Sequence, residues 1–316
     1  MSRLIVAQTP NEIETLRERW EGLPASTIFQ SFAWNYAAAR AFGDREAPLS
    51  IYSETNNGAA LIPAAISESR LTLLGEKLAD YRDVLANGDG AALYAAWHRA
   101  SELNLTFSAG ALRDDSNLSL WHGFQRNSFY GAPLVSTGQI SEDQFASDHN
   151  RLSRWKRRLE REGATFRLHS GTNAQLVRHI YELKASQAAE SADSLFRDPQ
   201  RIAFMVEVCR ALASACEIFT VEHGSGLLAS LVTFRDHTVR RFYTIHFHPA
   251  WARYSPGMVL IYEVTRRSLA VGLDCDYMTG EHDYKMRFAT SVVPMYWLEA
   301  SAHDLATLSH RRALAA

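Results

Sequence analysis

The sequence predicts an α/β protein with two domains and mixed sheets. Its 316 residues are 47% hydrophobic, which is enough for two ordinary cores. In the first half, Asn57-Gly58 separates two apolar stretches and is a strong signal for a β-hairpin. In the second half, three successive strands within Glu217–Phe247 precede a helix and a further strand. A helix in that place connects parallel strands, so one sheet should contain both kinds of pairing.

Apolar alternation bounded by turn residues gives the elements of the first half. Pro63 indicates that its strand lies at a sheet edge or carries a bulge. Pro133 indicates an edge strand, because proline cannot donate to the ladder and fits only an edge or a strand end. The predicted elements are, in order, the strand Leu4–Ala7, a helix from Asn11 to Arg19, a helix from Ser31 or Phe32 to Ala41, the strands Leu49–Ser53, Ala59–Ile66 and Arg70–Leu74, the helix Asp89–Leu103, the strand Leu105–Ser108, a helical turn at Ser119–Phe124 and the edge strand Ala132–Val135.

We place the domain boundary near Thr137–Ser141, where Ser, Thr and Gly gather, so the domains are residues 1–140 and 141–316. Ser141 then caps a new helix. The later elements are, in order, the helix Arg151–Glu162, the strand Ala164–Leu168, the helices Asn173–Ala192 and Asp198–Ala215, the strands Glu217–His223, Leu227–Phe234 and Val239–Phe247, the helix Met258–Val271, the strand Cys275–Met278, the loop Gly280–Asp283, the strand Val292–Glu299 and the helix His303–Arg312.

The stretch Tyr243–Arg287 organises the second half. Its strand alternates, ends at Pro249, and is followed by the turn Tyr254–Gly257 and a helix that Gly272 closes. A helix N-terminus after such a turn can receive a phosphate, although the same turn also begins ordinary helices. The predicted apolar side of the helix consists of Leu260, Ile261, Val264 and Val271, with Glu263 and Arg266 pointing away from it.

The helix Arg151–Glu162 is the most basic stretch of the chain. Leu152, Trp155 and Leu159 fall on one face, and arginines lie along another flank. Two interpretations remain open. The arginines form a clamp for a phosphate-bearing ligand, or the helix is simply solvated and held by ion pairs with its own glutamates.

The pattern P-x-W-x-x-Y-S-P-G-x-x-L, a helix closed by Gly, and then D-x-x-x-G-x-x-x-Y-K resembles the C-terminal half of the CelD/BcsL-type acetyltransferases. That family belongs to the GNAT acyl-CoA N-acyltransferase superfamily and is related to the Fem peptidyltransferases. Segments at Phe29–Trp34, Leu71–Gly75, Asp80–Leu85 and Arg157–Gly163 are similar to the same family, so the resemblance covers nearly the whole chain. The matching residues of the main pattern are Pro249, Trp251, Tyr254, Ser255, Pro256, Gly257, Leu260, Gly272, Asp276, Gly280, Tyr284 and Lys285.

Two positions depart from the family patterns. GNAT enzymes typically show R-x-x-G-x-G/A in the phosphate loop, whereas the first glycine position counted from Arg253 holds Pro256 and the second holds Met258. Gly257 lies between them. The family often has Tyr two residues before Pro249, and here that residue is Phe247. The first departure puts the phosphate contacts in doubt.

The resemblance implies two tandem GNAT-like domains, a degenerate one at residues 1–140 and an acyl-CoA-binding one at residues 141–316. It implies acetyl-CoA or another acyl-CoA as co-substrate, no metal, and an oxyanion donor from a backbone N–H near Tyr243–Phe247. The residues expected at the acyl-CoA site are Tyr243, Arg253, Tyr254, Ser255, Gly257 and Met258.

Acyl transfer to an amine also needs a group that takes the proton of the amine. The candidates for this base are His246, His248, Glu281, His282 and Asp283, although strand histidines are more often structural. The resemblance places Tyr284 and Lys285 in the substrate cleft. Lys285 would there orient a phosphate or a carbonyl, or else form a structural ion pair with Asp276 or Asp283. The predicted catalytic set is His246, Glu281, Asp283, Tyr284 and Lys285.

For the acceptor we expect Gln30, Trp34, Asp80 and Tyr81, with Asp83 as a further candidate, because ligand sites favour domain interfaces. Domain packing is the alternative role of these residues. The acceptor would be an amine of a small molecule, a sugar or a lipid.

Several function classes are disfavoured. A net charge of −2 argues against a dedicated nucleic-acid binder, and three cysteines are too few for a disulfide framework. A zinc site at His246, His248, His282 and Asp283 lacks any HExxH or paired CxxC motif, and no G-x-S-x-G elbow supports a Ser-His-Asp set. The N-terminal apolar run is too short for a signal peptide, and no stretch reaches membrane-spanning length. We therefore expect a cytoplasmic protein, with loose membrane association still possible.

The function hypothesis is an acyl-CoA-dependent N-acyltransferase. Its acceptor would be an amine on a sugar, a polysaccharide precursor or a lipid base, in envelope or exopolysaccharide biosynthesis. The alternative is a GNAT-like module that has lost catalysis and binds an envelope or polysaccharide component.

Overall fold

The computed structural model of the chain describes residues 3–118, 125–187, 195–224 and 226–313. The chain forms two compact units. Unit 1 contains Met1–Tyr130 and Pro294–Ala316, and unit 2 contains Gly131–Val293. These bounds differ from the expected division at residue 140, because strands close to both ends of unit 2 pair over long sequence distances. The helical turn expected at Ser119–Phe124 lies outside the described residues.

The described elements of the first part of the chain are, in order, β1 (Arg3–Ala7), α1 (Pro10–Glu14), α2 (Arg17–Glu21), α3 (Phe32–Ala41), β2 (Ala47–Thr55), β3 (Gly58–Ser67), β4 (Arg70–Leu73), β5 (Leu85–Ala86), α4 (Ala91–Ser101), β6 (Thr106–Arg113) and β7 (Gln125–Ser128). They are followed by β8 (Ala132–Val135), α5 (Glu142–Asp148), α6 (Asn150–Arg161), β9 (Thr165–Ser170), α7 (Ala174–Gln187), α8 (Pro199–Ala211), β10 (Cys216–His223), β11 (Gly226–Asp236), β12 (Val239–Phe247), α9 (Pro256–Ala270), β13 (Asp274–Asp276), α10 (Asp283–Met286), β14 (Ser291–Val293), β15 (Met295–Ala300) and α11 (Ala302–Ala313).

The sheet of unit 1 has the strand order β1-β2-β3-β4-β6-β15-β7. The predicted hairpin is confirmed, since β2 and β3 meet at Thr55 and Gly58. The expected edge position of Pro63 is wrong, because β3 lies between β2 and β4. The carbonyl of Pro63 accepts from the N–H of Leu74, which lies just past the end of β4. The backbone position at which Pro63 lacks an N–H therefore lies at the end of the β3–β4 pairing.

The sheet of unit 2 has the strand order β9-β10-β11-β12-β13-β8-β14. The meander β10-β11-β12 is antiparallel, and α9 connects β12 to its parallel neighbour β13, as the mixed-sheet prediction required. The expected edge position of β8 is wrong. It lies between β13 and β14, where Pro133 occupies the second residue of a four-residue strand and its carbonyl accepts from the N–H of Tyr277.

The two sheets have the same topology position by position. In each, three antiparallel pairings lead to one parallel pair, β4–β6 in unit 1 and β12–β13 in unit 2, with a helix between the parallel strands. Two further antiparallel strands complete each sheet. The expected last strand Val292–Glu299 is in fact two strands interrupted at Pro294, and β14 completes unit 2 whereas β15 enters unit 1.

Helix α9 is buried around most of its circumference, and it is the central helix of unit 2. Leu260, Ile261 and Val264 are buried as expected, but Val271 is 69% exposed because α9 ends at Ala270. Glu263, expected to point to solvent, is buried and accepts hydrogen bonds from Arg266 and Arg267. Within the described ranges, no helix has the length and apolarity needed to cross a membrane.

Candidate functional site

Strand β12 separates from β13 in the middle of the unit 2 sheet. The parallel pairing covers only Val239–Arg241, and β12 continues to Phe247. On its other side the register with β11 shifts, so that Thr244 faces Val232, Phe242 faces Thr233, and Tyr243 is left over as a bulge. A bulge re-aims the side chains that follow it and increases the local twist. The second half of β12 therefore has one free edge beside α9.

A buried ion cluster lies at the point where the strands separate. Arg241, 2% exposed, donates to Asp236 on β11 at 2.7 Å and to Asp276, the last residue of β13. Asp276 also accepts from the N–H of Met278 at 2.7 Å. One cation thus joins three neighbouring strands at the last rung of the parallel ladder.

The free edge of β12 carries the backbone groups of Ile245 and Phe247. The N–H of His248 donates to Leu228 of β11, so by alternation the groups of Phe247 and Ile245 point to the opposite edge. Their carbonyls accept from side chains of α7: Lys184 Nζ donates to Ile245 O at 2.8 Å, and Gln187 Nε2 donates to Phe247 O. The N–H groups of these two residues face the same edge.

The turn before α9 has the geometry of an anion site. Ser255 has a left-handed backbone with φ of 47°, and Pro256 occupies the first turn of the helix. Val259 N donates to Ser255 O, which leaves the N–H groups of Gly257 and Met258 at the helix end without an intrahelical acceptor. The helix dipole favours negative charge at this end.

A cavity of about 280 Å³ opens between this helix end and the free edge of β12. Most of its wall is apolar, and two of its lining residues, Ser255 and Tyr284, carry hydroxyl groups. A methyl group at Gly257 would make an ordinary contact with the Phe247 side chain at 3.4 Å, so a small side chain fits here, whereas a large one would enter the cavity. The lining residues are Ile245, Phe247, Ala252, Ser255, Gly257, Met258, Ile261 and Tyr284.

A second cavity, of about 250 Å³, shares Ser255 and Met258 with the first. Arg151 of α6 and Arg287 line it, so part of the basic helix does lie beside the N-terminus of α9. Other parts of α6 fit the alternative of a solvated helix, since Lys156 pairs with Glu160 at 2.6 Å. The pair Lys156–Glu160 thus agrees with the solvated-helix interpretation for that part of α6, and the phosphate clamp stays a prediction.

Two residues expected at the acyl-CoA site, Tyr254 and Arg253, contact other side chains of the protein. The Tyr254 side chain is buried, and its hydroxyl donates to Glu162 at 3.1 Å. The guanidinium of Arg253 lies 4.6 Å from the centre of the Tyr254 ring, and that of Arg158 lies 5.1 Å from it. These contacts fix the turn that carries Ser255.

Tyr284 is the one member of the predicted catalytic set that lines the first cavity. Burial raises the pKa of its phenol, so the hydroxyl stays protonated at neutral pH. Lys285, 7% exposed, points instead to the backbone and donates to the carbonyls of Met278 at 3.0 Å and Thr279 at 2.8 Å. Met278 has a left-handed backbone, and Lys285 holds this irregular loop after β13.

The other loop candidates are at the surface. Glu281 is exposed, and its carboxylate accepts from the N–H of Gly131 at 3.0 Å. Asp283 is exposed at the start of α10. The rings of His282 and Tyr284 are stacked, with their centroids 5.9 Å apart. His248 caps the turn after β12, its Nδ1 accepting from the N–H of Ala250. No three His, Cys, Asp or Glu side chains among the described residues form a group that could hold a metal.

His246 is 2% exposed, and neither ring nitrogen has a hydrogen-bond partner among the described residues. Burial lowers its pKa to about 4, with smaller contributions from Lys184, His248 and His179. A histidine with this pKa is neutral at pH 7 but is a weak base. It also lies on the strand face opposite Ile245 and Phe247, since side chains alternate along β12.

The expected acceptor residues all lie in unit 1, mostly inside it. Trp34 and Tyr81 are buried, and Gln30 is buried with its side-chain amide donating to the Tyr81 carbonyl. Asp83 is buried and accepts from three backbone N–H groups, and burial raises its pKa to about 7. Among them, Asp80 lines a cavity of about 780 Å³ within unit 1 that several charged residues border.

Sequence reasoning missed Ile245 and Ile261 as cavity residues, and Lys184 and Gln187 as partners of the β12 edge. Phe247 was noticed only as a departure from the family pattern. The signal that could have found the first two is strand and helix periodicity next to the turn. Nothing local in the sequence pairs α7 with β12, which lies about sixty residues further along the chain.

Residues 146–286 match a family model described as an acetyltransferase (GNAT) domain. This range contains the meander, the turn, α9, the first cavity and Tyr284, and it contains all lining residues of the second cavity except Arg287 and Phe288. A search of the curated proteins found no match. The predicted superfamily is thus confirmed for this domain, and the narrower CelD/BcsL-type family stays a prediction.

Solved structures similar to the chain span nearly its full length. L-PGS from Bacillus licheniformis has a TM-score of 0.60 at 14% identity, covering 96% of this chain and 98% of that one. FemX has a TM-score of 0.60 at 10% identity, covering 93% and 96%. A tandem GNAT protein from the clavulanic acid biosynthesis pathway has a TM-score of 0.51 at 11% identity, covering 96% and 99%.

At these identities the similarity shows the fold, and it confirms the predicted pair of GNAT-like units with mixed sheets. The repeated sheet topology of units 1 and 2 agrees with it. The chain therefore contains a GNAT acetyltransferase domain at residues 146–286 and is an enzyme of the GNAT-type N-acyltransferase class.

Proposed function

We propose that the protein transfers an acyl group from acetyl-CoA or a longer acyl-CoA to an amine of a sugar, a polysaccharide precursor or a lipid base. The observation that carries this proposal is the apolar cavity between the free edge of β12 and the N-terminus of α9. Such a site offers an apolar slot, backbone donors and a positive helix end within one cleft. Those are the features that an acyl thioester with attached phosphates needs.

The acyl and pantetheine part would lie in the first cavity, against Ile245, Phe247 and Met258. Its phosphates would lie at the N-terminus of α9, with Arg151 and Arg287 from the second cavity as cationic partners. The departure from the usual glycine pattern is compatible with this arrangement, because Gly257 still presents its N–H at the helix end without a side chain.

In the reaction, the amine nitrogen attacks the thioester carbonyl carbon, the new C–N bond forms, and the C–S bond breaks. The net change moves one proton from the amine to the departing thiolate. Tyr284 supports this step, because its protonated phenol lines the cavity and can donate to the thiolate. We assign the base to Asp283, which is exposed beside Tyr284 in the chain, rather than to buried His246.

The proposed acceptors include amines of several kinds of molecule. FemX and L-PGS share the fold of the whole chain, and L-PGS is a lysylphosphatidylglycerol synthetase. Those names support a large envelope-type or lipid-linked acceptor, and transfer of an aminoacyl group is a variant within the same class. Action in the cytoplasm, with loose membrane association for a lipid acceptor, completes the proposal.

Calorimetric titration with acetyl-CoA, longer acyl-CoAs and free CoA tests the donor. We expect saturable binding that weakens at least about tenfold, or ~1.4 kcal/mol, in Gly257→Trp, because the indole fills the cavity. Gly257→Ala is the matched control and should bind nearly as the wild type, since its methyl makes only an ordinary contact with Phe247. Absence of binding to every CoA species would reject the acyl-CoA mechanism.

The catalytically silent binding module remains the second candidate. It is favoured by one observation, the replacement of both usual loop glycines by Pro256 and Met258. Release of free CoA thiol from acetyl-CoA in the presence of amine acceptors separates the two functions. A protein that binds CoA but releases no thiol with any amine, and whose Tyr284→Phe variant behaves identically, would be a binder.

A further inference from the structure

The free edge of β12 has an unusual division of its hydrogen-bonding groups. A strand edge normally alternates N–H donors and C=O acceptors, so an acceptor atom of a ligand bound at one N–H lies beside carbonyl oxygens that repel it. Here the carbonyls of Ile245 and Phe247 are already occupied by side-chain donors of α7. The N–H groups of the same residues face this edge and are the groups left to a ligand.

The spacing of the two α7 donors matches the strand. Lys184 and Gln187 are three residues apart, so they lie on one face of the helix. Their targets are two residues apart on β12 and therefore on one edge. Lys184 is half-buried, so the field of its ammonium acts partly through protein rather than through bulk water, and the same burial lowers its pKa.

The first cavity is bounded by the same two strand residues, Ile245 and Phe247. A thioester carbonyl placed there against the strand meets backbone donors and one fixed cation, with the neighbouring carbonyl dipole neutralised. This arrangement stabilises negative charge on the carbonyl oxygen more than it stabilises the uncharged ester.

We propose that Lys184 is a positioning residue of the acyl-transfer site, which together with Gln187 turns the free edge of β12 into a donor-only surface for the thioester carbonyl. The inference rests on the proposed function and extends it to a helix outside the turn and the family pattern. Lys184 acts through the Ile245 carbonyl and through its charge.

The test is the infrared carbonyl band of acetyl-CoA labelled with carbon-13 at the thioester carbonyl, measured in complex with the full chain. Polarisation by the donor edge shifts this band to lower wavenumber relative to the free compound. We expect Lys184→Met to lose at least half of that shift, Lys184→Arg to keep it, and Lys77→Met, at an exposed lysine of unit 1, to leave it unchanged. No acceptor is needed, and calorimetry on the same samples gives the affinity.

The outcomes separate the two proposals. A wild type that binds no acetyl-CoA rejects the proposed function and this inference with it. A wild type that binds, with the same carbonyl shift in Lys184→Met, rejects only the role of Lys184. Tighter binding of acetyl-CoA by Lys184→Met would show that the Lys184 side chain obstructs the edge, and would also reject its proposed role. If Lys184→Met fails to fold, Gln187→Met tests the same edge at the Phe247 carbonyl, with a smaller expected loss of shift.

Discussion

At the scale of single residues, burial decided which candidate side chains are available for chemistry. His246, Tyr284 and Lys285 are all types that acyl transfer uses, yet they have three different surroundings. Tyr284 lines the cavity, Lys285 is tied to two carbonyls, and His246 lies inside unit 2 without a hydrogen-bond partner. A substitution of Lys285 would disturb the loop after β13 as well as any chemistry, because it removes the donor to the carbonyls of buried Met278 and half-buried Thr279.

The low pKa of His246 predicts a pH dependence of stability. The unfolded chain takes up a proton near pH 6.5, whereas the folded chain does so only near pH 4. The unfolded state thus binds more protons between these pH values. The free energy of unfolding therefore decreases as the pH falls from about 6.5 toward 4, by up to ~3 kcal/mol. The contribution of His246 is fully present above pH 6.5. Thermal unfolding of wild type and His246→Phe across this range measures it.

The variant should show the flatter curve, because phenylalanine does not titrate. His98→Phe is the matched control, since it removes the ring of an exposed histidine. Equal slopes for wild type and His246→Phe would show that His246 is charged or solvated in the folded protein.

At the scale of elements, the separation of β12 from β13 creates the site, and the Arg241 cluster fixes where the separation begins. The parallel ladder stops at the pair Arg241 and Asp276, and the bulge at Tyr243 follows at once. Without the cation, Asp236 and Asp276 would be two buried carboxylates near each other, which is unfavourable. The same ion cluster therefore stabilises unit 2 and fixes the point at which β12 and β13 separate to form the cavity.

Arg241→Met is expected to lower the free energy of unfolding by roughly 3–5 kcal/mol, because it leaves buried carboxylates without their cation. Urea unfolding of the variant and the wild type gives this difference. Arg210→Met is the matched control: its pair with Glu207 on α8 is exposed, and we expect a loss of about 1 kcal/mol or less. Similar losses in both variants would argue against a structural role for the cluster.

At the scale of the whole molecule, each unit is one GNAT-like sheet, and the chain supplies the strands of unit 1 from both of its ends. Strand β15 lies between β6 and β7, and Leu298 and Ala300 belong to the core of unit 1. The segment that follows β14 along the chain is thus a structural part of the first unit.

A chain that ends at Val293 should lose the fold of unit 1 and keep that of unit 2. Removing β15 takes away the only strand that joins β7 to the rest of the described sheet, and it opens the core around Leu298. Hydrogen exchange read by mass spectrometry should show lost protection in β2, β3 and β6, with β10 and β11 unchanged. Full protection of unit 1 in the shortened chain would contradict the assignment of β15.

The sequence by itself determined the types and approximate places of most elements, the Asn57-Gly58 hairpin, the Ser255–Gly257 turn and the GNAT superfamily, because these depend on local periodicity and short motifs. The tertiary structure alone decided that β8 belongs to the sheet of unit 2 and β15 to the sheet of unit 1. It likewise decided that Tyr243 forms a bulge and that Lys184 donates to the Ile245 carbonyl. It also decided that Gln30 and Trp34 are core residues while Ser255, Met258 and Tyr284 share a cavity. Pairing and burial bring together residues far apart in the chain, and no local pattern records which distant strand or helix will supply the partner.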